Sequence, residues 1–437
     1  MDEEYSKGEQ RKSFATLVKE NYVSGITVAL VSLPLSTALA IAAGAPPMAG
    51  ISAGIYGPIM GGIFGGSAYN ILGPAGALVN NLNKLSSVNG AAIIPMVAAL
   101  SGIFSLAVWA LRLEKYCTLI PISVLEGFSF GVAITIGFGQ FNSALGLKGI
   151  VKHPEFADNV KETFSHAGDL DIKEFIPFLI MYLSLMWLLK NLPGRPWIIV
   201  IALAGMIYGF LTSMIAPSIR PTLLRDLYPA MLHPSLIDFG YWSEGSKIPT
   251  SNVVIGAIQV SFVAVLETLI SARIADGKTG TRFQARPEVF GMSLGNILSG
   301  VLGGTPCTGV LVRTAVNITA GATHKTSQLI NGCVVLAITL VFMPAFVYTP
   351  MPCIASILIV SASRLIPFGV MGELLRQDTA EFFILIFTTV ICVLVDGAFG
   401  LMAGGVISIL RTAIKSQTAK TVSSTMDGEF QIVYLSG

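Results

Sequence analysis

This chain is short of charge. Only 12% of its 437 residues are Asp, Glu, Lys or Arg, about half of what soluble domains carry. It also lacks a basic surplus. The 27 Lys and Arg stand against 25 Asp and Glu, so no domain-sized cationic face is left for a nucleic acid. Five cysteines, Cys117, Cys307, Cys333, Cys353 and Cys392, lie far apart, and the four histidines do not gather near them. That spacing suggests neither a disulfide framework nor a metal site. The opening "MDEEYSKGEQRKSFATLVKE" is polar, with no short apolar core and cleavage site, which excludes a signal peptide and leaves targeting to the first spanning segment. No nucleophile paired with a base and no nucleotide loop is recognisable, so an enzyme is not expected.

What is present is apolar sequence. Hydrophobic residues make up 53% of the chain, and mean hydropathy is +0.73, as expected of an all-α polytopic membrane protein. Stretches long enough for a helical span of roughly 17 to 25 residues occupy 23–43, 91–111, 125–145, 197–215, 253–274, 327–346 and 380–396. Shorter or Gly/Pro-interrupted ones occupy 53–66, 71–82, 176–189, 289–304, 309–322, 352–360 and 397–410. Together they predict fourteen segments. Starting inside, fourteen spans put Arg112 with Lys115, Lys190 with Arg195, Lys278 with Arg282 and Arg286, Lys325, Arg364 with Arg376, and the tail on one side. By the positive-inside bias that side is cytoplasmic, with both termini. A plasma (inner) membrane is the expected location.

The two halves echo each other. "GGIFGGSAYNILGPAGALV" aligns without gaps to "SGVLGGTPCTGVLVRTAVN" at an offset of 238 residues. Paired interrupted segments at corresponding places point to a transporter site between inverted repeats. Short half-helices beginning near Ala75 and Arg313 would aim free N–H groups and the positive ends of their dipoles into a cavity, which suits an anion. Arg313 would add a fixed charge and planar donors. The alternative for Arg313 is pairing with an internal acid or reaching a polar interface. Glu267, deep in an apolar segment, could carry a coupled proton, sit in the substrate site or pair with Arg313. Asp396 reads as a helix-end residue, and Asn80 and Asn81 as hydrogen-bonding links between helices.

Four blocks, "SGITVALVSLPLSTALAIAAGAPPMAGISAGIYGPIMGGIFGGSAYNILGPAGAL", "IPISVLEGFSFGVAITIGFGQ", "ETLISARIADGKTGTR" continued by "GGTPCTGVLVRTAVNITAGATHKTSQ", and "DTAEFFILIFTTVICVLVDGAFGLMAGGVISIL", resemble the sulfate permease family of anion transporters over roughly residues 21 to 412. The resemblance implies a seven-plus-seven inverted repeat of the uracil-permease type, with short strands leading into half-helices at segments 3 and 10. It implies a cytoplasmic stretch at 1–22; a core domain at 23–111 (segments 1–4) and 253–346 (segments 8–11); a gate domain at 112–215 (segments 5–7) and 347–412 (segments 12–14); and an extracellular connection at 216–252. Carried over by motif, the substrate-binding residues are Ala75, Gly76 and Ala77 on segment 3, Val312, Arg313 and Thr314 on segment 10, and Glu267 on segment 8. Leu35 follows Pro34 where animal members have glutamine, which leans the reading toward bacterial-type symporters. The tail 413–437 contains "FQIVYL", similar to the first strand of the family's STAS domain, either cut there or vestigial.

The expected function is elevator-type secondary transport of a small oxyanion, sulfate or bicarbonate first, with H+ or Na+ as candidate coupling ion and no other cofactor. The alternatives are a C4-dicarboxylate or nucleobase symporter of the same fold, an uncoupled anion channel, or an area motor. Expected partners are a small inorganic anion or dicarboxylate, the lipid bilayer and a second copy in a homodimer.

Overall fold

A computed structural model describes residues 13–418, except 120, 152, 154, 194, 230–235, 246–247 and 396, together with 423–427 and 430–434. Asp396 therefore lies outside the described residues. Each of the fourteen apolar stretches becomes a helix. In chain order these are α1 (Phe14–Ala42), α2 (Pro47–Phe64), α3 (Gly76–Asn89), α4 (Ile93–Ala110), α5 (Ile122–Gly139), α6 (Ile172–Asn191) and α7 (Trp197–Ile215). The second half adds α8 (Thr250–Thr279), α9 (Ala285–Val301), α10 (Leu311–Thr319), α11 (Thr326–Phe346), α12 (Met351–Ser363), α13 (Thr379–Leu394) and α14 (Gly397–Thr418). Two strands of two residues each, β1 (Leu72–Gly73) and β2 (Thr308–Gly309), precede α3 and α10 and pair antiparallel, Leu72 with Gly309 and Gly73 with Thr308. Near the end β3 (Ser423–Asp427) and β4 (Phe430–Tyr434) form an antiparallel hairpin over the predicted "FQIVYL" strand.

Helices run past the apolar stretches at several ends. α1 begins at Phe14 rather than near residue 23, and α8 continues to Thr279 beyond the apolar limit at 274. Apolarity marks the part of a helix that suits a bilayer, whereas the backbone goes on hydrogen-bonding into water until a capping signal such as Gly280, at φ +71°, stops it. Among the described residues, nine helices are long and apolar enough to cross a membrane. Large apolar side chains face outward on them, including Ile180, Leu183 and Trp187 on α6 and Ile207, Phe210 and Met214 on α7. In water that surface would be costly; facing lipid it is matched.

Packing sorts the helices into two groups. α9 lies against α2 and α4, α11 against α1 and α2, and α8 against α4 and α3. Elsewhere α13 lies against α5 and α14, α12 against α6 and α5, and α6 against α7. Small residues let these backbones approach, as membrane helix contacts require. A methyl group at Gly300 of α9 would land on the Ala99 backbone of α4. Polar links are few and specific. Asn80 donates to the Cys392 carbonyl (3.2 Å) and Asn81 accepts from Gly397 N (3.2 Å), tying α3 to α13 and α14 as the sequence suggested. Arg411 near the end of α14 holds Asp378, the N-cap of α13, at 2.6 Å and also reaches Glu381.

Candidate functional site

The two unwound stretches meet at the centre of the molecule. Ala75 and Val310, the N-caps of α3 and α10, are both extended (φ −123°, ψ 146° and φ −106°, ψ 112°), so each short helix starts abruptly from its strand. The first N–H groups of any helix have no intrahelical acceptor. Here Gly76, Ala77, Leu311 and Val312, which carry such groups, line one cavity of about 120 Å³. That is room for a small oxyanion and a few waters, at about 10–15 Å³ per water.

α10 starts at Leu311, two residues before the expected position. The two N-caps stand 235 residues apart, not the 238 of the gapless alignment, because the second half is one residue shorter in α9 than in α2, one in the loop before the strand and one between the strand and the N-cap. Arg313 is consequently the third residue of its helix rather than its entrance. At about 100° per residue it turns away from the face that Leu311 and Val312 present, while Thr314, beside Leu311 on the helix, is held by Asn70 and Ile71 instead. Gly76, Ala77, Val312 and Glu267 line the cavity, whereas Ala75, Arg313 and Thr314 do not.

Arg313 is fully buried directly behind that wall. Its Nη2 donates to Ser36 Oγ (3.0 Å) on α1 and to the Pro74 carbonyl (3.3 Å), while Nε and Nη1 have no acceptor. Among the described residues no acid pairs with it. Being wholly buried, it does not reach an interface. The side chain passes so close to Gly73 that a Cβ there would collide with the guanidinium. Glu267 is not its partner. Glu267 Oε2 instead accepts from Thr308 Oγ1 (2.7 Å), and its neighbour Thr268 Oγ1 accepts from Gly309 N (2.8 Å), so consecutive residues of α8 fix strand β2.

Thr314 has a structural task. Its hydroxyl donates to Asn70 Oδ1 (3.1 Å) and accepts from Ile71 N (3.1 Å), joining α10 to the chain that enters β1. Asn70 also takes Ser271 Oγ (2.7 Å) and donates to Glu288 Oε1 (2.7 Å). Glu288, only 2% exposed in the first turn of α9, accepts further from Gly66 N and Ser67 N, both at 2.8 Å. This buried carboxylate thus shapes the loop that delivers α3. Glu288→Ala would strand two backbone donors, the buried Ser67 N and the partly buried Gly66 N, each worth about 1–3 kcal/mol when unpaired, and leave Asn70 only the Thr268 carbonyl. We expect a large fall in the thermal midpoint of the detergent-purified protein, with Glu288→Gln less affected because it still offers one acceptor oxygen.

Sequence reasoning missed Glu288, Asn70, Ser36 and Glu126. The last lines the same cavity as Glu267, from α5. A lone acid inside the apolar run "ISVLEGFSFGVAITIGFG" was itself a signal, since intramembrane ionisable residues are functional by default. The cavity wall is otherwise largely apolar, with Leu35 and Leu39 from α1, Phe128 and Val132 from α5 and Leu358 from α12. A larger hollow of about 650 Å³ adjoins it at Ile274, Leu311, Val312 and Leu365 and carries Arg195, Lys278 and Arg364.

Residues 18–388 match the sulfate permease family. The chain belongs to that family. Family members are membrane transporters, not enzymes, and the chain is a multi-pass integral membrane protein. It is similar to the "Putative sulfate transporter YvdB" of Bacillus subtilis (strain 168), 28% identical over 389 residues, covering 88% of this chain and 72% of the relative. It is 24% identical over 439 residues to "Bicarbonate transporter BicA" of Picosynechococcus, covering 94% and 74% respectively. In fold it resembles "The transmembrane domain of a cyanobacterium bicarbonate transporter BicA", with TM-score 0.74, 21% identity and coverage of 90% of this chain and 99% of that one. It also resembles "The overall structure of SLC26A9", with TM-score 0.80, 13% identity and coverage of 97% and 70%.

Proposed function

We propose that this sulfate permease family member is a secondary transporter of small oxyanions, sulfate or bicarbonate, that binds its anion in the cavity where α3 and α10 begin. The observation that carries the reading is Arg313: a fully buried guanidinium with no acid partner among the described residues, set behind two converging helix N-termini. A buried charge without a counter-ion is costly. An anion in the adjoining cavity would supply the missing charge while taking hydrogen bonds from the helix ends. The relatives named for sulfate and bicarbonate transport support the same substrate class.

The fourteen helices are proposed as fourteen spans in two inverted repeats, with α1–α4 and α8–α11 as the core that moves against α5–α7 and α12–α14. The hollow carrying Arg195, Lys278 and Arg364 is then the cytoplasmic approach, whose positive potential draws anions inward. The relatives named for sulfate and bicarbonate transport favour the oxyanion reading over a C4-dicarboxylate.

Coupling falls to Glu267. An ionised carboxylate lining the cavity opposes an anion there, and protonation removes the opposition, so anion and proton bind together. In proteoliposomes an inwardly directed proton gradient should accelerate sulfate or bicarbonate uptake by wild type, and Glu267→Gln should bind the anion yet show a clearly smaller acceleration. Acceleration in Glu267→Gln equal to that of wild type would remove this residue from coupling. Acceleration of the wild type by sodium alone would replace the proton as the coupling ion.

A further inference from the structure

Glu126 is a second acid in the cavity wall. It projects from α5 into the cavity and, among the described residues, has neither a hydrogen-bond nor an ion partner. Glu267 faces the same space from α8. These are the ionisable groups that line the cavity, and both are acids. α5 packs chiefly with α12, α13 and α14 and α8 chiefly with α4, while α3 lies between them and packs on both.

The charged and titratable groups on the elements around α5 are otherwise engaged or set away from the cavity. Glu381 on α13 is taken by Ser123 and by Arg411 of α14, which also holds Asp378. Cys392 of α13 packs against Gly131 and Gly400. Arg364, just after α12, lines the larger hollow instead, and Lys84 of α3 lines neither space. Arg313, behind α10, is bound to Ser36 and Pro74. Among the described residues, no cation lines the cavity beside Glu126.

We infer that Glu126 is a second proton-binding residue of the transport site, taking up a proton from the water of the adjoining hollow together with the anion, in addition to the proton taken by Glu267. With both carboxylates ionised, an incoming anion meets two negative charges in a small apolar space. One unit charge at such range weakens binding about tenfold or more even at an effective dielectric of 20. Protonated, each carboxyl becomes a donor that can hydrogen-bond the anion's oxygens. The proton on Glu126 is held by α5 and the proton on Glu267 by α8, so the two are carried on opposite sides of the interface at which the packing groups meet. This inference rests on the proton-coupled reading above and extends it to a second proton.

The test is calorimetric binding of sulfate, and separately of bicarbonate, to the full-length purified protein across a range of pH in which both ligands keep their charge. By linkage, the slope of log Kd against pH counts protons taken up with the anion. Wild type should approach a slope of about two on the alkaline side, and Glu126→Gln and Glu267→Gln about one each, with the double variant flat. Glu126→Asp should restore the wild-type slope, which a merely structural defect at this position would not do. A Glu126→Gln slope equal to that of wild type, alongside a reduced one in Glu267→Gln, overturns the inference and leaves the coupling reading standing. A flat wild-type profile, or no binding of either probe, overturns the coupling reading itself.

Discussion

Arg313→Met should transport sulfate or bicarbonate with an apparent affinity roughly thirty- to a hundredfold weaker than wild type, recovering much of its maximal rate at high anion concentration. The arginine does not touch the cavity, so its effect is one of charge acting through a short buried distance. At an effective dielectric of about 20, a unit charge at about 6–8 Å contributes roughly 2–3 kcal/mol, which converts to that range. The helix N-termini at Gly76 and Leu311 remain in the variant, which is why rate should return at saturation. Arg313→Lys should lose less, since it keeps the charge while giving up the fork that grips Ser36 and Pro74. Concentration-dependent uptake into proteoliposomes, with the folded fraction checked by size exclusion, decides this. An unchanged affinity in properly folded Arg313→Met would reduce the residue to a brace between α1 and α10.

A bulky residue at Gly76 should do more. A Cβ there would stand 2.7 Å from Ile136 Cδ1 and 3.5 Å from Val132 Cγ1, both on α5. Gly76 is thus at once part of the cavity wall, the first residue of α3 and a point where α3 meets α5. Gly76→Leu would fill a space of about 120 Å³ and press the two packing groups apart. Transport should be lost at every substrate concentration. Gly76→Ala should retain partial activity, because Ile136 can withdraw the end of its side chain by a few tenths of an ångström. Saturable transport of wild-type affinity by Gly76→Leu would place the anion somewhere else.

The contrast between these two positions shows what the sequence makes legible. The fourteen apolar stretches become helices because bilayer-length apolarity is a strong, local signal, and α7 falls on its expected bounds of 197–215. The interrupted segments are legible too, since Gly73-Pro74 and the glycines before Thr308 cannot continue a helix or a long strand. Helix phase is not legible to the same degree. Arg313 was correctly singled out as a buried charge, but an alignment without gaps set it three residues out of step with α3, and one residue in a helix is 100° of direction. Glu288 was hidden for another reason. An acid in the first turn of a helix usually serves that helix's own N-terminus, whereas this one reaches Gly66 and Ser67, 222 and 221 residues away in the chain. Such a contact exists only once the halves have folded together.

The central claim is that an anion binds at the meeting of α3 and α10 and is carried, not conducted. Counterflow tests it most directly. Proteoliposomes loaded with unlabelled sulfate or bicarbonate and diluted into a trace of the labelled anion should transiently accumulate label above equilibrium. The uptake should saturate with external anion and vanish in Gly76→Leu. Flux that rises without saturation, shows no transient accumulation and survives Gly76→Leu would contradict the account and identify the protein as an anion channel with its path elsewhere.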